Sequence, residues 1–102
     1  MNELKDLMNE IKSFADKRNW QKFHTPKNLA MAVAGEAGEL VAEFQWLTAS
    51  ESELVALTPE KLQDIRLEIA DVEIYLLRLA DVLEIDVASA VREKLAINES
   101  RF

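Results

Sequence analysis

The chain has 102 residues, of which 49% are hydrophobic and 30% are charged, and its formal net charge is -7. These proportions predict one globular domain, residues 1–102. No cysteine is present, which excludes disulfides and thiolate metal sites. The acidic balance, without any basic run, argues against binding to nucleic acid. No apolar run reaches membrane-spanning length and no basic leader precedes one, so we expect a cytoplasmic protein without membrane contact.

The first half of the chain shows the apolar spacing of helices. Only two Gly and two Pro occur in the whole sequence, and no segment alternates apolar and polar residues over the length of a strand. A first helix is predicted over about residues 2–18, followed by an irregular link that ends before Pro26. Thr25 is predicted to cap a second helix, which runs from Pro26 to about Leu47.

The second half continues this pattern. Small polar residues between positions 48 and 58 predict a loop with one short turn. Thr58 and Pro59 restart the helical spacing, and a third helix is predicted to run to about Leu83. Asp86 is predicted to cap a fourth helix that ends near Asn98. The sequence therefore predicts an all-α, antiparallel four-helix bundle. The third helix carries more apolar surface than one small bundle can cover, which favours a partner chain.

Two pairs of acidic residues interrupt the apolar runs of the second and third helices. Glu36 and Glu39 form the first pair, and Glu68 and Asp71 form the second. Residues three apart lie on one face of a helix, so each pair directs two carboxylates to the same place. Like charges in a half-buried setting are unfavourable unless a cation or a shared proton offsets them. Four oxygen ligands suit a hard divalent cation, and we predict Mg²⁺, with Mn²⁺ as a substitute.

Two glycines bracket the first acid pair and bear on the same question. Gly35 and Gly38 each cost about 1 kcal/mol relative to Ala inside a helix, so we expect either close approach of another helix or room for a bulky ligand. Acid pairs at this spacing are also common on solvated helices, and one pair alone is a weak signal. A di-iron bundle uses Glu-x-x-His pairs. It does not fit, because the one histidine, His24, lies outside the predicted long helices.

Further segments accompany the acid pairs: WQKFHTPKNL at 20–29, FQW at 44–46, IYL at 74–76, and Lys94 with Ile97, Asn98 and Arg101. Together they resemble the MazG-like all-α nucleoside triphosphate pyrophosphohydrolases, whose signature is Glu-x-x-Glu followed, after a spacer, by Glu-x-x-Asp. The chain is most similar to the dCTP pyrophosphatases of this group. The resemblance covers about residues 19–102 and implies a bundle that assembles as a homodimer or as a homotetramer with a dimeric core.

The resemblance also implies roles for individual residues. Magnesium and the catalytic centre are implied at Glu36, Glu39, Glu68 and Asp71, where the ion bridges the triphosphate and helps to generate the attacking hydroxide. Water would cleave between the α and β phosphates and give a nucleoside monophosphate and pyrophosphate. The implied substrate-binding residues are Trp20, Phe23, His24 and Trp46 at the base and sugar, Lys94, Asn98 and Arg101 near the phosphates, and Tyr75. For Tyr75, ordering a carboxylate or simple packing stays an open alternative.

Alternatives to these assignments stay open. The expected substrate is dCTP or a modified dCTP, in a role that clears the nucleotide pool, but the acid signature also fits a relative that acts on dUTP or phosphoribosyl-ATP. A third hypothesis is a helical interaction module whose acids are structural remnants. Without the resemblance, Trp46 would be interpreted as a core residue, and Lys94 with Arg101 as part of a solvated helix face.

Overall fold

The computed structural model describes residues 2–102, in which no β-strand occurs. The all-α class and the four predicted helices are confirmed. A short 3-10 helix, Leu54–Ala56, lies in the loop where the sequence predicts one turn. None of the helices in the described part of the chain is long and apolar enough to cross a membrane. The four α-helices are α1 Glu3–Lys17, α2 Pro26–Ala42, α3 Pro59–Val82 and α4 Val87–Arg101.

Each α-helix begins after a residue whose side chain caps it. The side chain accepts a hydrogen bond from the backbone N–H three residues further on, which satisfies one of the unpaired donors of the first turn. The predicted caps Thr25 and Asp86 are confirmed. Pro26 and Pro59 follow two of the caps, at helix positions where a missing N–H removes no helical bond. The four capping residues are Asn2, Thr25, Thr58 and Asp86.

α1 and α3 both end at a residue in the left-handed conformation. Asn19 has a φ of 58° after α1, and Glu84 has a φ of 56° after α3. The next N–H in each case returns to a carbonyl of the last helical turn: Trp20 donates to Ala15 at 3.0 Å, and Ile85 donates to Ala80 at 2.8 Å. This closure turns the chain sharply at the helix end. It sets the position of Trp20 and the direction in which α4 leaves α3.

The predicted end of α2 at Leu47 was wrong, because the helix stops at Ala42. Tight turns follow, in which the Phe44 N–H donates to Val41 at 2.9 Å and the Leu47 N–H donates to Phe44 at 2.9 Å. Bonds of this three-residue kind keep a spacing close to that of a helix, so the apolar pattern continued past the true helix end. Trp46 lies in these turns and not on the face of α2.

α3 is the centre of the packed part of the chain and contacts both α2 and α1. The fully buried apolar side chains in the described residues are few, and they come from α1, α2 and α3. By contrast, α4 buries no residue. Its apolar side chains Val91 and Leu95 are 51% and 62% exposed. One chain therefore leaves much helical apolar surface uncovered, on α4 above all. The buried apolar residues are Ala15, Leu29, Ile65, Leu77 and Ala80.

Candidate active site

Three carboxylates from two helices meet where α2 packs against α3. Glu36 comes from α2, and Glu68 and Asp71 come from adjacent turns of α3. One carboxylate oxygen of each lies within 4.8 Å of the others. The predicted three-residue spacing places Glu68 and Asp71 side by side, and the packing of the two helices adds Glu36. The structure thus brings together three of the four acids that the sequence singles out.

Glu68 has the least favourable surroundings in this group. Its Oε2 atom is buried and has no hydrogen-bond partner among the described residues. Burial raises the pKa of Glu68, and the charges of Asp71, Glu36, Glu39 and Glu43 raise it further. A carboxylate in such surroundings lacks the opposite charge or the donors that would stabilise it. An all-oxygen group of this kind fits a hard divalent cation, so the donor set present suits Mg²⁺.

Glu39 and Glu43 lie near this group but outside it. Both carboxylates are close enough for their charges to act on Glu68, but neither contributes an oxygen to the cluster. Glu39 is exposed, and its role as a fourth ligand stays a prediction. Glu43 is held by Lys61, whose Nζ donates to Oε1 at 3.0 Å. This ion pair joins the end of α2 to the first turns of α3.

The glycines of α2 leave open space beside the acids. Apart from its chain neighbours and the backbone of its own helix, a Cβ atom at Gly35 or Gly38 would meet no atom within 4 Å. No other helix of the same chain therefore approaches these glycines closely, and close approach of a helix from a second chain stays a prediction. Room for a bulky ligand stays a prediction, and the same space would admit a second chain.

A row of aromatic rings leads from the end of α1 to the middle of α3. The ring of Trp20 lies 5.6 Å from Phe14 and 6.1 Å from His24, and the ring of His24 lies 6.5 Å from Tyr75. Tyr75 follows Asp71 by four residues, so it lies one turn further along the same face of α3. The structure therefore places three predicted substrate residues, Trp20, His24 and Tyr75, in one row that ends beside the acidic face.

Comparisons with known proteins agree with this geometry. No protein-family model matches the chain. A solved pyrophosphatase from Archaeoglobus fulgidus is 40% identical, with a TM-score of 0.90 over 100% of this chain and 94% of that one. The chain belongs to the MazG-like all-α pyrophosphatase family. The resemblance in the sequence is thus confirmed.

Curated members of the family carry a more specific name. The chain is 38% identical over 99 residues to dCTP pyrophosphatase 1 of Homo sapiens, and 37% identical over 99 residues to that of Mus musculus. Each match covers 97% of this chain but 58% of the relative. The chain therefore spans little more than half the length of the curated relatives that it matches.

Two further aromatic residues that the family resemblance assigned to the substrate have exposed side chains. Phe23 is 58% exposed and Trp46 is 87% exposed. The alternative that Trp46 is a core residue is therefore wrong for the single chain. The turns that follow α2 place Trp46 at the surface, three residues after Glu43. Its role in binding a base stays a prediction.

The three predicted phosphate residues all lie on α4, which extends to Arg101. Lys94 borders an apolar groove between α3 and α4. The guanidinium carbon of Arg101 lies 5.4 Å from the ring centroid of Phe102, and Asn98 is half-buried. None of the three belongs to the carboxylate group, which comes from α2 and α3. Contacts between these residues and phosphates stay a prediction.

Arg78 is a residue of this region that the sequence analysis missed. It is 5% exposed and is the one buried charged residue among residues 2–102. Its Nε donates to Nδ1 of His24 at 3.3 Å, and its Nη1 donates to Asp81 at 3.4 Å. Burial lowers the pKa of His24, and the charge of Arg78 lowers it further. The available signal was a lone cation in the apolar run that follows Tyr75.

Proposed function

We propose that the protein is a metal-dependent nucleoside triphosphate pyrophosphohydrolase. The observation that carries this proposal is the group of three carboxylates within 4.8 Å, in which Glu68 keeps a buried oxygen without a partner. The related proteins named as pyrophosphatases support the same activity. The reaction is hydrolysis of the triphosphate to a nucleoside monophosphate and pyrophosphate.

The residues that would hold the metal are Glu36, Glu68 and Asp71, with Glu39 as a fourth ligand. Mg²⁺ is the proposed ion and Mn²⁺ its substitute, since the donors are carboxylate oxygens. When bound, such an ion supplies positive charge for the triphosphate and activates water. The carboxylates would hold that charge between α2 and α3.

The aromatic row would bind the nucleoside. Trp20 and Tyr75 offer flat apolar surface on either side of His24, and base stacking on such rings is favourable for every base. Phe23 and Trp46 would add two more exposed rings. We take dCTP or a modified dCTP as the first substrate to test, because the curated relatives are named dCTP pyrophosphatase 1. The cytoplasm, with its nucleotide pool, is the proposed compartment.

Self-association is part of the proposal. The groove between α3 and α4 has a volume of about 340 Å³ and is lined almost entirely by apolar side chains, among them Leu76 and Leu83. With α4 unburied in one chain, a second copy would cover apolar surface that is otherwise in water. A homodimer, or a homotetramer built from it, would also place the α4 residues of one chain beside another chain. Lys94, Asn98 and Arg101 are assigned to the phosphates of such a shared site.

The experiment is a nucleotide panel with product identification, run with and without Mg²⁺. We expect release of pyrophosphate that requires the ion and is lost in Glu68→Gln and in Asp71→Asn. Glu73→Gln is the matched control, because Glu73 is an exposed acid of the same helix outside the carboxylate group. Full activity in both site variants would refute the metal assignment. Absence of pyrophosphate with every nucleotide would favour the non-catalytic module, and a preference for dUTP or phosphoribosyl-ATP would change the substrate.

A further inference from the structure

One face of α3 carries more than the two acids. Glu68, Asp71, Tyr75 and Arg78 follow one another at spacings of three, four and three residues, which places all four on one strip of the helix. With a rise of about 1.5 Å per residue, Arg78 lies roughly 10 Å along the axis beyond Asp71. The acids occupy one end of this strip and a buried cation occupies the other.

The buried cation is directed at the one histidine of the chain. Nε of Arg78 donates to Nδ1 of His24 at 3.3 Å, across 54 positions of sequence. A guanidinium has donors and no acceptor, so Nδ1 must present its lone pair. A doubly protonated ring would set an N–H against an N–H. The contact therefore selects the neutral imidazole whose proton is on Nε2, and the lowered pKa of His24 agrees with it.

Neighbouring groups fix both partners in place. Asp81 accepts a hydrogen bond from Nη1 of Arg78 at 3.4 Å and offsets part of the buried charge. The His24 ring lies between Trp20 and Tyr75, at interplanar angles of 57° and 73°. Its backbone N–H donates to Trp20 at 3.1 Å. The position of the imidazole, its tautomer and its lack of charge are therefore set together.

We propose that Arg78 is a positioning residue of the nucleotide pocket, which presents His24 as a neutral ring with a hydrogen-bond donor at Nε2. This inference rests on the proposed function, which identifies the ligand as a nucleotide. The new element is the polar atom that contacts the nucleotide, Nε2 of His24. A neutral donor among aromatic rings selects an acceptor on the nucleoside, an oxygen or ring nitrogen of the base or sugar. The phosphates would lie elsewhere, at the acidic end of the strip, where the metal ion of the proposed function would offset their charge.

The tautomer can be measured without any nucleotide. Since His24 is the one histidine in the sequence, its imidazole ¹⁵N and ¹H NMR signals need no separation from others. At pH 7 we expect the Nε2–H form in the unaltered protein. In Arg78→Met, which keeps an unbranched, flexible stem but removes the guanidinium and its donors, we expect a mixture of tautomers and a higher pKa of His24.

Asp81→Asn is the matched control for this measurement, because it changes the other partner of Arg78 and leaves the Nε to Nδ1 contact in place. It should keep the Nε2–H form even if it melts at a lower temperature. A protonated Nδ1 in the unaltered protein at pH 7 would overturn the proposal. An unchanged tautomer in folded Arg78→Met would do the same. The first of these readings needs no variant, so it stands even if Arg78→Met does not fold.

The effect on the pocket is tested by a double-mutant cycle with dCTP and Mg²⁺. We expect Arg78→Met to raise KM by roughly three- to tenfold, the loss of one hydrogen bond, with a smaller change in kcat. In a His24→Ala background the same substitution should have no further effect on KM. Additive effects would show that Arg78 does not act through His24. If dCTP and every other nucleotide are left intact, the proposed function fails, and the NMR measurement alone decides whether Arg78 sets the state of His24.

Discussion

Glu68 and Asp71 lie one turn apart on α3, and each places a carboxylate oxygen within 4.8 Å of the other and of Glu36. Burial and these neighbouring charges raise the pKa of Glu68. Repulsion of this kind opposes folding whenever the acids are ionised and no cation is bound. These three carboxylates are therefore expected to destabilise the metal-free protein.

The first prediction concerns pH. Because the pKa of Glu68 is higher in the folded state than in the unfolded chain, the folded state binds more protons in this range. The protonated Glu68 side chain contributes its full share of stability below the pKa that glutamate has in the unfolded chain, about 4.3. That contribution is lost as pH rises through the pKa of Glu68 in the folded protein. We therefore expect Glu68→Gln to gain stability relative to the unaltered protein as pH rises from about 4 to about 7, when both are melted in a chelator.

The control for this experiment is Glu73→Gln, an exposed neutralisation on the same helix, whose difference from the unaltered protein should not follow that course. Adding Mg²⁺ should then raise the melting temperature of the unaltered protein and not that of Glu68→Gln. If Glu68→Gln and the unaltered protein differ in stability by the same amount at every pH, the raised pKa of Glu68 in the folded protein is contradicted.

The helix caps and the acid pair of α3 could be predicted from the sequence, because both depend on the spacing of residues within one helix. Thr25 and Asp86 cap their helices because the capping bond spans three residues. Glu68 and Asp71 meet because residues three apart share a helix face. The same logic placed Glu36 and Glu39 together, but only Glu36 joins the cluster. Which of the two faces Glu68 depends on how α2 is rotated against α3, and no local pattern contains that rotation.

Contacts between distant segments were not predictable in the same way. The hydrogen bond from Arg78 to His24 joins residues 54 apart, and it exists because the turn after α1 returns to the side of α3. The early end of α2 was missed for a different reason, since the turns through Leu47 repeat the helical spacing of apolar residues. The Arg78–His24 contact and the end of α2 both lie next to the candidate site. There, a small shift of one helix against another decides which side chains are in contact.

The second prediction tests Trp46. Its side chain is 87% exposed in the chain, so Trp46→Ala should change the free energy of unfolding by no more than about 0.5 kcal/mol. If the indole stacks on the base, the substitution should lose about 1 to 3 kcal/mol of nucleotide binding. Stacking is equally present in the ground and transition states, so the loss should raise KM and leave kcat nearly unchanged.

Phe23→Ala provides a comparison for Trp46→Ala, since Phe23 is another exposed aromatic residue assigned to the same pocket. The intrinsic fluorescence of the protein should also change when dCTP is added with Mg²⁺, and this change should be smaller in Trp46→Ala. An unaltered KM combined with a loss of dimers in sedimentation would move Trp46 from the pocket to an interface between chains.

The third prediction concerns Gly38. A Cβ placed there would contact nothing within 4 Å beyond its chain neighbours and the backbone of its own helix, and Ala is favoured over Gly inside a helix by about 1 kcal/mol. Gly38→Ala should therefore stabilise the free chain. If the open space admits a nucleotide or a second copy, the same methyl group should weaken nucleotide binding or assembly, measured by KM and by sedimentation.

The reverse change at an exposed neighbour, Ala34→Gly, is the control for helix propensity alone. It should lower stability by about 1 kcal/mol without a specific effect on KM or on the oligomer. Should Gly38→Ala gain stability with neither KM nor sedimentation altered, the space beside the acids would have no part in binding.

The last prediction concerns the turn that directs α4. Glu84 has a φ of 56°, a conformation that is unfavourable by about 1 to 2 kcal/mol for a residue with a side chain and free of that penalty for glycine. Glu84→Gly should therefore raise the free energy of unfolding, by about 0.5 to 1 kcal/mol. The gain is smaller than the full backbone penalty, because glycine also has more freedom in the unfolded chain, which opposes folding. Asn19→Gly at the end of α1 should gain less, since asparagine tolerates this conformation. Glu84→Ala separates the effect of charge from that of the backbone, because it removes the carboxylate but keeps the unfavourable φ. Denaturant unfolding with an unchanged m value would measure each difference, and an Ala variant as stable as the Gly variant would show that charge, and not the left-handed backbone, destabilises this turn.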